Sequence, residues 1–504
     1  MDKINVLIDM FEGRHGYAGI STDMRSAFLA LARSEPLKIT GLVYSGGDVG
    51  VETLNPIHKV SNAEVGLRMA RIIHDLHGER LPSNFLQKVE SLTSGKKFLN
   101  TGKIAKNIRY WINSFFKYGT YPIDPAVYYD AIWRGLFDKT LEPSEIDTIK
   151  LTEFVFSDIH RWGSWASLSK FKRPWRMSPT DHQVVISFNI SPIKYGVNQI
   201  SRVHDLIPLV RPDVVHYEDI RKFRTHLEFT LAQARRIACV SHSAADDLRR
   251  FYPSTEGIID VIPCMTTSGF YPVADERRLF PIFEGKRSEY QRKMEKSSKR
   301  RVEPPRALTY FVYHGTIESR KNVNYLCKAF EELTDSDEKY QNLKLVIAGH
   351  FGWMYQNSQK SMANLIAKGR LIHLEGVNTA ELRVLLSNSI GHVFPSLYEG
   401  FGLPPIEAMQ CGAPPIVSNV SSHPEIVGDA GLYCDPYDSD TLSREMARLA
   451  DDRGGQLRKY LQSRAEIQLK KYHPDRVTPL WESSIEKAAQ LSRVSQKVKH
   501  RVMG

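Results

Sequence analysis

Residues 392–412, HVFPSLYEGFGLPPIEAMQCG, constrain the fold more tightly than any other stretch of this chain. An apolar strand ending at Phe394 turns at Pro395 and Ser396, presents Glu399 and a Gly-Phe-Gly loop, and enters a helix through Pro404 and Pro405. Proline suits the first helical positions, where its missing N–H would be unpaired anyway. The amides of Phe401, Gly402 and Leu403 are then left to face whatever sits above, as in an anion site. Glu399 and Glu407, with seven residues between them, flank those amides. Two carboxylates would repel a bare diphosphate, so the expected ligand carries its diphosphate in the middle and hydroxyl-rich groups at both ends. A carboxylate can accept the paired hydroxyls of a ribose, and a sugar offers a similar diol at the other end. Such a ligand is a nucleotide sugar. For Glu407 a blander reading stands beside this one: an acid in the first turn of a helix complements the macrodipole.

Strand-like runs at 1–10, 38–44, 153–159, 184–188, 200–204, 236–241 and 258–264 are followed in several cases by helical segments, and runs at 343–349 and 371–377 lead up to the opening stretch. This alternation predicts an α/β fold with parallel sheets covered by helices, whose ligands bind beyond the C-terminal strand ends. At 504 residues the chain is too long for one core. The segment 281–306 is crowded with charge and poor in apolar residues, so it reads as a solvated linker. It separates a first domain, 1–280 with a mainly helical insertion at about 60–150, from a second, 307–480. A last helix in 481–504 is expected to pack back on the first domain.

Several further residues belong to the candidate site. Gly13, Gly16 and Gly19 form a turn that feeds a helix at 21–33, where a ligand can approach the backbone. His204 and Asp205 stand at a strand end, although a lone histidine is more often structural. In GTIESRKN, Lys321 and Arg320 stand near a helix start, where cations oppose the macrodipole. Tolerating both calls for an anion, and the expected one is a diphosphate. Two Asp-x-Asp triplets, Asp335/Asp337 and Asp438/Asp440, are read as helix caps rather than metal ligands.

The 392–412 stretch resembles the signature of retaining glycosyltransferase family 4 (GT4), carried here by Glu399 and Glu407 within PSLYEGFGLPPIEAMQCGAPPIVSN. The likeness is dense over 306–440, patchy over 1–45 and 183–270, and absent elsewhere. It implies a GT-B architecture, two Rossmann-like domains facing across a cleft. It implies that Glu399 contacts the transferred sugar, Glu407 the nucleotide ribose, and the Phe401–Gly402–Leu403 backbone the sugar and diphosphate. It also places Gly19 at the cleft, His204 in HDLIPL near the donor sugar, and Lys321 on the diphosphate. Thr316 stands where the family usually has an arginine, and GTIESRKN is similar to variants among surface-polysaccharide mannosyltransferases and rhamnosyltransferases. The resemblance therefore implies retaining sugar transfer without a metal cofactor. GDP-mannose is the favoured donor, and the acceptor is a saccharide or a polyprenyl-linked saccharide. An epimerase of the same architecture and a noncatalytic partner in a polysaccharide assembly complex are the alternatives.

Composition limits the partners. The hydrophobic share of 42% and the charged share of 25% suit a globular protein. Neither a leader nor a run of apolar residues long enough for a membrane span is visible, which leads to the expectation of a cytoplasmic protein. Five scattered cysteines without a CxxC pair suggest neither disulfides nor zinc. The net charge of +11 favours polyanions without naming one. The aromatic-basic run 103–118 allows peripheral contact with an anionic membrane, with a packed helix as the other reading, and a second such run, 162–176, reads as an acceptor-side loop. No nucleic-acid module is recognisable, and no nucleic acid is expected.

Overall fold

In the computed structural model, which describes residues 3–14, 19–44, 111–123, 125–157, 159, 161–178, 180–273, 275–299, 301–304, 309–452 and 455–502, each half of the chain is built on its own sheet. The first sheet contains, in chain order, β1 (Ile4–Asp9), β2 (Leu37–Tyr44), β3 (Tyr121–Ile123), β4 (Glu153–Ser157), β5 (Val184–Ser187), β6 (Asn198–Val203), β7 (Ala234–Cys239) and β8 (Ile259–Val261). Across the sheet they lie in the order β8-β7-β6-β5-β1-β2-β4-β3. Every pairing is parallel except that of the edge strand β3 with β4. The inner strands are buried along most of their length, as sheets covered on both faces require.

The second sheet contains β9 (Tyr310–His314), β10 (Lys344–Ala348), β11 (Leu371–Leu374), β12 (Gly391–Phe394), β13 (Pro415–Ser418) and β14 (Leu432–Cys434), all parallel, in the order β11-β10-β9-β12-β13-β14. From β9 the chain winds outward to β11, then returns to lay β12 on the other side of β9, with Val312 opposite His392. That reversal leaves a crevice above the C-terminal ends of β9 and β12, where α/β sheets bind ligands.

Four helices position the site. They are α1 (Gly19–Ala32), α2 (His242–Phe251), α3 (Leu403–Gln410) and α4 (Pro474–Val502). Val477, Trp481, Ile485, Ala488 and Ala489 recur at helical spacing on α4 and join Val6, Ile8, Val184 and Ile186 in the core of the first sheet. Trp481 is fully buried, 5.5 Å from the Phe188 ring and beneath the Arg202 guanidinium at 5.2 Å.

The stretch 281–306 departs from its sequence reading. Helices Leu279–Gly285 and Glu289–Ser298 place Leu279, Ile282 and Phe283 in the core of the second sheet. Buried Arg287 pairs with Glu295 and with Glu284 (3.2 Å) and donates to the Val302 carbonyl (2.6 Å). Part of the charge that suggested a solvated linker is neutralised within the segment instead, while Arg292, Lys296 and Lys299 stay exposed. The run at 162–176 differs too: Arg161–Phe171 is a helix, and Trp175, in the short strand Trp175–Met177, is buried against Tyr118 (5.3 Å) rather than lying in a loop. Most of the 60–150 insertion, and the first half of the 103–118 run, lie outside the described residues.

Candidate functional site

The loop from β12 to α3 is fixed on both sides. Leu397 N–H donates to the Arg320 carbonyl (2.8 Å), and Arg320 Nη1 returns a bond to the Tyr398 carbonyl (2.9 Å). Glu399 N–H donates to Ser421 Oγ (2.9 Å), and Ser422 Oγ donates to the Glu399 and Phe401 carbonyls (3.1 and 2.6 Å). Gly402 caps α3 at φ +113°, in the left-handed region that only glycine enters freely. Because the helix begins at Leu403, Glu407 stands beyond the first turn. The macrodipole reading of that residue therefore falls away, since the effect fades within one turn.

At one end of the loop Glu399 is buried and neutralised. Its Oε1 lies 2.6 Å from Lys321 Nζ and 2.7 Å from Arg320 Nη1, while Glu318 takes the other side of Arg320 at 2.7 Å. Burial alone would raise the Glu399 carboxyl, but Arg320 and then Lys321 outweigh it and hold the group well below the usual carboxylate range. Burial and then Arg320 lower the Lys321 ammonium, against the pull of Glu399. The anion that two cations at this position called for is thus supplied within the chain. Lys321 also stands 4.6 Å from the centre of the Phe394 ring, in cation–π range.

At the other end Glu407 opens on a cavity of about 510 Å³ above the crevice. His314, Gly315, Thr316, Gly349, His350, Gly376 and Asn378 from the strand ends line it, with Thr22, Lys139 and Thr140 from the first domain. The Glu407 carboxylate accepts from His314 Nε2 at 2.7 Å.

The first domain closes tightly over the Glu399 end. A Cβ at Gly400 would lie 1.8 Å from the His204 carbonyl oxygen, so no other residue fits there without moving backbone. Ser241 Oγ donates to the Gly400 carbonyl (2.6 Å), Tyr398 OH donates to Asp247, and Glu425 accepts from the first amides of α2, His242 N–H (3.0 Å) and Ser243 N–H (3.3 Å). The last contact is an anion at a helix N-terminus. His204 Nε2 donates to the Phe188 carbonyl (2.9 Å) and lies 3.7 Å from Asp23, and burial lowers its imidazole to about 4. Asp23, His204 and Cys264 come close enough together to suggest metal ligands. They do not suit a cation, because the buried Arg202 guanidinium already holds both Asp23 oxygens at 2.9 Å. In the two Asp-x-Asp triplets, Asp335 pairs with Arg370 (2.5 Å), and Asp337 and Asp438 cap helices.

The sequence-derived residues thus fall into three groups. Glu399, Lys321 and Arg320 form one buried ion cluster. Glu407 and Thr316 line the cavity. His204 lies in the first domain against Gly400, and Gly19 starts α1 with Leu403 beside it, 3.6 Å from where a Cβ would stand. The Phe401 side chain packs away from the cavity, on Tyr472 at 5.5 Å. His314, Ser421, Ser422 and His423, whose ring lies 3.4 Å from where a Cβ on Gly402 would stand, escaped the sequence reading. The available signal for the first was a histidine closing an otherwise apolar central strand.

Two facing sheets, with a cavity at the switch point of the second, define the GT-B architecture. Residues 295–468 match the family of glycosyl transferases group 1. It is 29% identical over 255 residues to the O-antigen chain mannosyltransferase B of Escherichia coli, covering 50% of this chain and 61% of that protein. It is 25% identical over 260 residues to the O-antigen chain mannosyltransferase RfbU of Salmonella typhimurium, covering 49% and 63%. The match therefore spans less than two thirds of either relative. Among solved structures, sucrose-phosphate synthase from Thermosynechococcus elongatus superposes with a TM-score of 0.52 over 98% of this chain and 100% of its own, at 15% identity, which is a likeness of fold.

Proposed function

We propose that this protein is a retaining glycosyltransferase of surface-polysaccharide synthesis. It moves mannose from GDP-mannose to a saccharide or polyprenyl-linked saccharide acceptor. The observation that carries the reading is the two-ended site: one loop and helix hold Glu407 over a nucleotide-sized cavity and Glu399 beside two cations under the first domain. The names of the O-antigen relatives support the choice of sugar and process. In the transfer step the bond from the sugar's anomeric carbon to the diphosphate breaks, and a bond to the acceptor oxygen forms on the same face. The acceptor's proton passes to the departing phosphate oxygen. Lys321 and Arg320 then face a second anion, the leaving diphosphate, and fixed cations at developing charge are the largest usual contribution to such catalysis. On this reading no metal cofactor is required.

The test is a thermal-shift panel of GDP-, UDP- and ADP-sugars, followed by transfer assays with the donor that stabilises the fold. Stabilisation by GDP-mannose with no shift from UDP-sugars is expected. If no nucleotide sugar shifts the protein, the reading fails.

Among the described residues no helix is long and apolar enough to cross a membrane. Trp111, Ile112, Phe115, Phe116 and Phe171 are nevertheless exposed, with Arg173 over the Phe115 ring at 4.2 Å. This aromatic-basic face supports peripheral attachment to the inner face of the cytoplasmic membrane, where a lipid-linked acceptor would lie. Flotation with anionic vesicles tests it, and a protein that stays at the bottom of the gradient removes the membrane from the proposal.

A further inference from the structure

Neither the motif nor the ion cluster explains what orients Glu407. His314 is the last residue of β9, Glu407 stands on α3, and the bond between them joins the strand and helix that bound the crevice. Both side chains line the cavity. The other ring nitrogen of His314, Nδ1, is buried with no hydrogen-bond partner among the described residues. Its ring rests 4.8 Å from that of His392, whose two nitrogens are also buried and unpartnered. These surroundings assign the tautomer. Nδ1 has no acceptor to donate to, whereas Nε2 meets a carboxylate, so the hydrogen belongs on Nε2 and points at Oε2 of Glu407. The second carboxylate oxygen, Oε1, is left for a ligand.

We propose that His314 is a positioning residue for nucleotide binding: by holding Oε2 of Glu407 it aims the remaining oxygen at the ribose 2′- and 3′-hydroxyls. This rests on the nucleotide-sugar reading above. A carboxylate serves a diol well only in one orientation, and an unsupported glutamate on a helix has several rotamers to choose from. His314 removes that freedom before the ligand arrives, as preorganisation requires.

A merely structural clamp between β9 and α3 would also weaken the site when removed, so the test compares ligands that differ only in the diol. Calorimetric titrations would use the wild type, His314→Leu, His314→Asn and His314→Gln. The probes are GDP, UDP and ADP and the 2′,3′-dideoxy form of whichever binds. Loss of one hydrogen bond to a charged group is expected to weaken the ribonucleotide about tenfold in His314→Leu while the dideoxy form binds as it does to the wild type. His314→Asn, whose shorter amide fills the space without reaching Glu407, should match His314→Leu and stands in for it if the apolar variant does not fold. His314→Gln can place its amide near the Nε2 position and should restore most of the affinity. In transfer assays the donor KM should rise with kcat unchanged. Equal losses for the ribo and dideoxy forms would overturn the proposal and leave His314 a structural clamp. A wild type that binds none of the three nucleotides would overturn it together with the reading it rests on.

Discussion

The two carboxylates of one loop-helix unit stand in opposite conditions. Glu407 faces a cavity with one oxygen held by His314. Glu399 is locked between Lys321 and Arg320, beneath a glycine that touches the backbone of the other domain. On the proposed reading, the Glu407 end can receive a nucleotide as it stands. The Glu399 end must exchange partners, because its cations are already neutralised and its roof is closed. A shared motif therefore says which groups take part, while their surroundings decide which part of a ligand enters first.

The largest effect that would break this contrast is removal of the Glu399 carboxylate. Glu399→Ala should abolish transfer and also cost up to about 3–5 kcal/mol of stability, since it leaves the largely buried Lys321 without its counter-ion and Arg320 with Glu318 alone. Lys321→Ala should abolish transfer at much smaller cost, because Glu399 keeps Arg320. Activity loss with an intact fold is what the motif alone predicts for both; the ion cluster restricts that outcome to Lys321. Urea unfolding beside transfer assays separates the two. Equal stability in both variants would show that the cations reach water and that this end is not closed.

Gly400→Ala sharpens the comparison from the other side. A methyl group 1.8 Å from the His204 carbonyl oxygen forces the two domains apart or tilts the loop. Displacement by about 1 Å at a reacting centre costs on the order of a hundredfold in rate, so transfer should fall by at least that much. Nucleotide affinity, which the proposal places at the Glu407 end, should stay within about twofold of the wild type. A matching fall in affinity would mean that the two ends are coupled.

Acid should act on the closed end, among other places, through its buried imidazoles. Burial lowers His204 and His423, which flank it, to about 4 from an ordinary 6.5, and it does the same to His226 and His373 elsewhere. Between these values the unfolded chain binds protons that the folded chain refuses. Stability is therefore full above about pH 6.5 and falls as pH drops toward 4, by up to about 1.4 kcal/mol per pH unit for each such imidazole. His423→Gln should flatten the profile. A urea midpoint that stays constant from pH 6.5 to 4 would contradict the burial of these rings.

The alternation of strands and helices was legible because inner strands such as Val184–Ser187 are mostly apolar, and the loop-helix unit was legible from its glycines and prolines. What escaped depends on contacts far apart in sequence. The partner of Lys321 is 78 residues away, so two adjacent cations suggested an external anion rather than Glu399. His314 is 93 residues from Glu407 and closes a strand that otherwise reads as core. In 281–306 the density of charge hid its sign pattern, in which Arg287 finds Glu284 and Glu295 and so becomes buried. Local pattern shows where backbone turns and where it extends, but it does not say which charge meets which.

The smallest expected effect is at the rim of the closed end. Arg211 reaches across from the first domain to the Leu397 carbonyl (3.3 Å) and to Tyr437 OH (3.1 Å), and it also pairs with Asp213 at 2.7 Å. Partly solvated ion pairs of this kind contribute about 0–1 kcal/mol. Arg211→Ala should therefore shift stability by no more than that and leave the transfer rate within about threefold. The contacts at Gly400, Ser241 and Glu425 would then account for closure. A loss as large as that of Gly400→Ala would place the lock at the rim instead, and the Glu399 end would be shut by a surface latch that ionic strength could loosen.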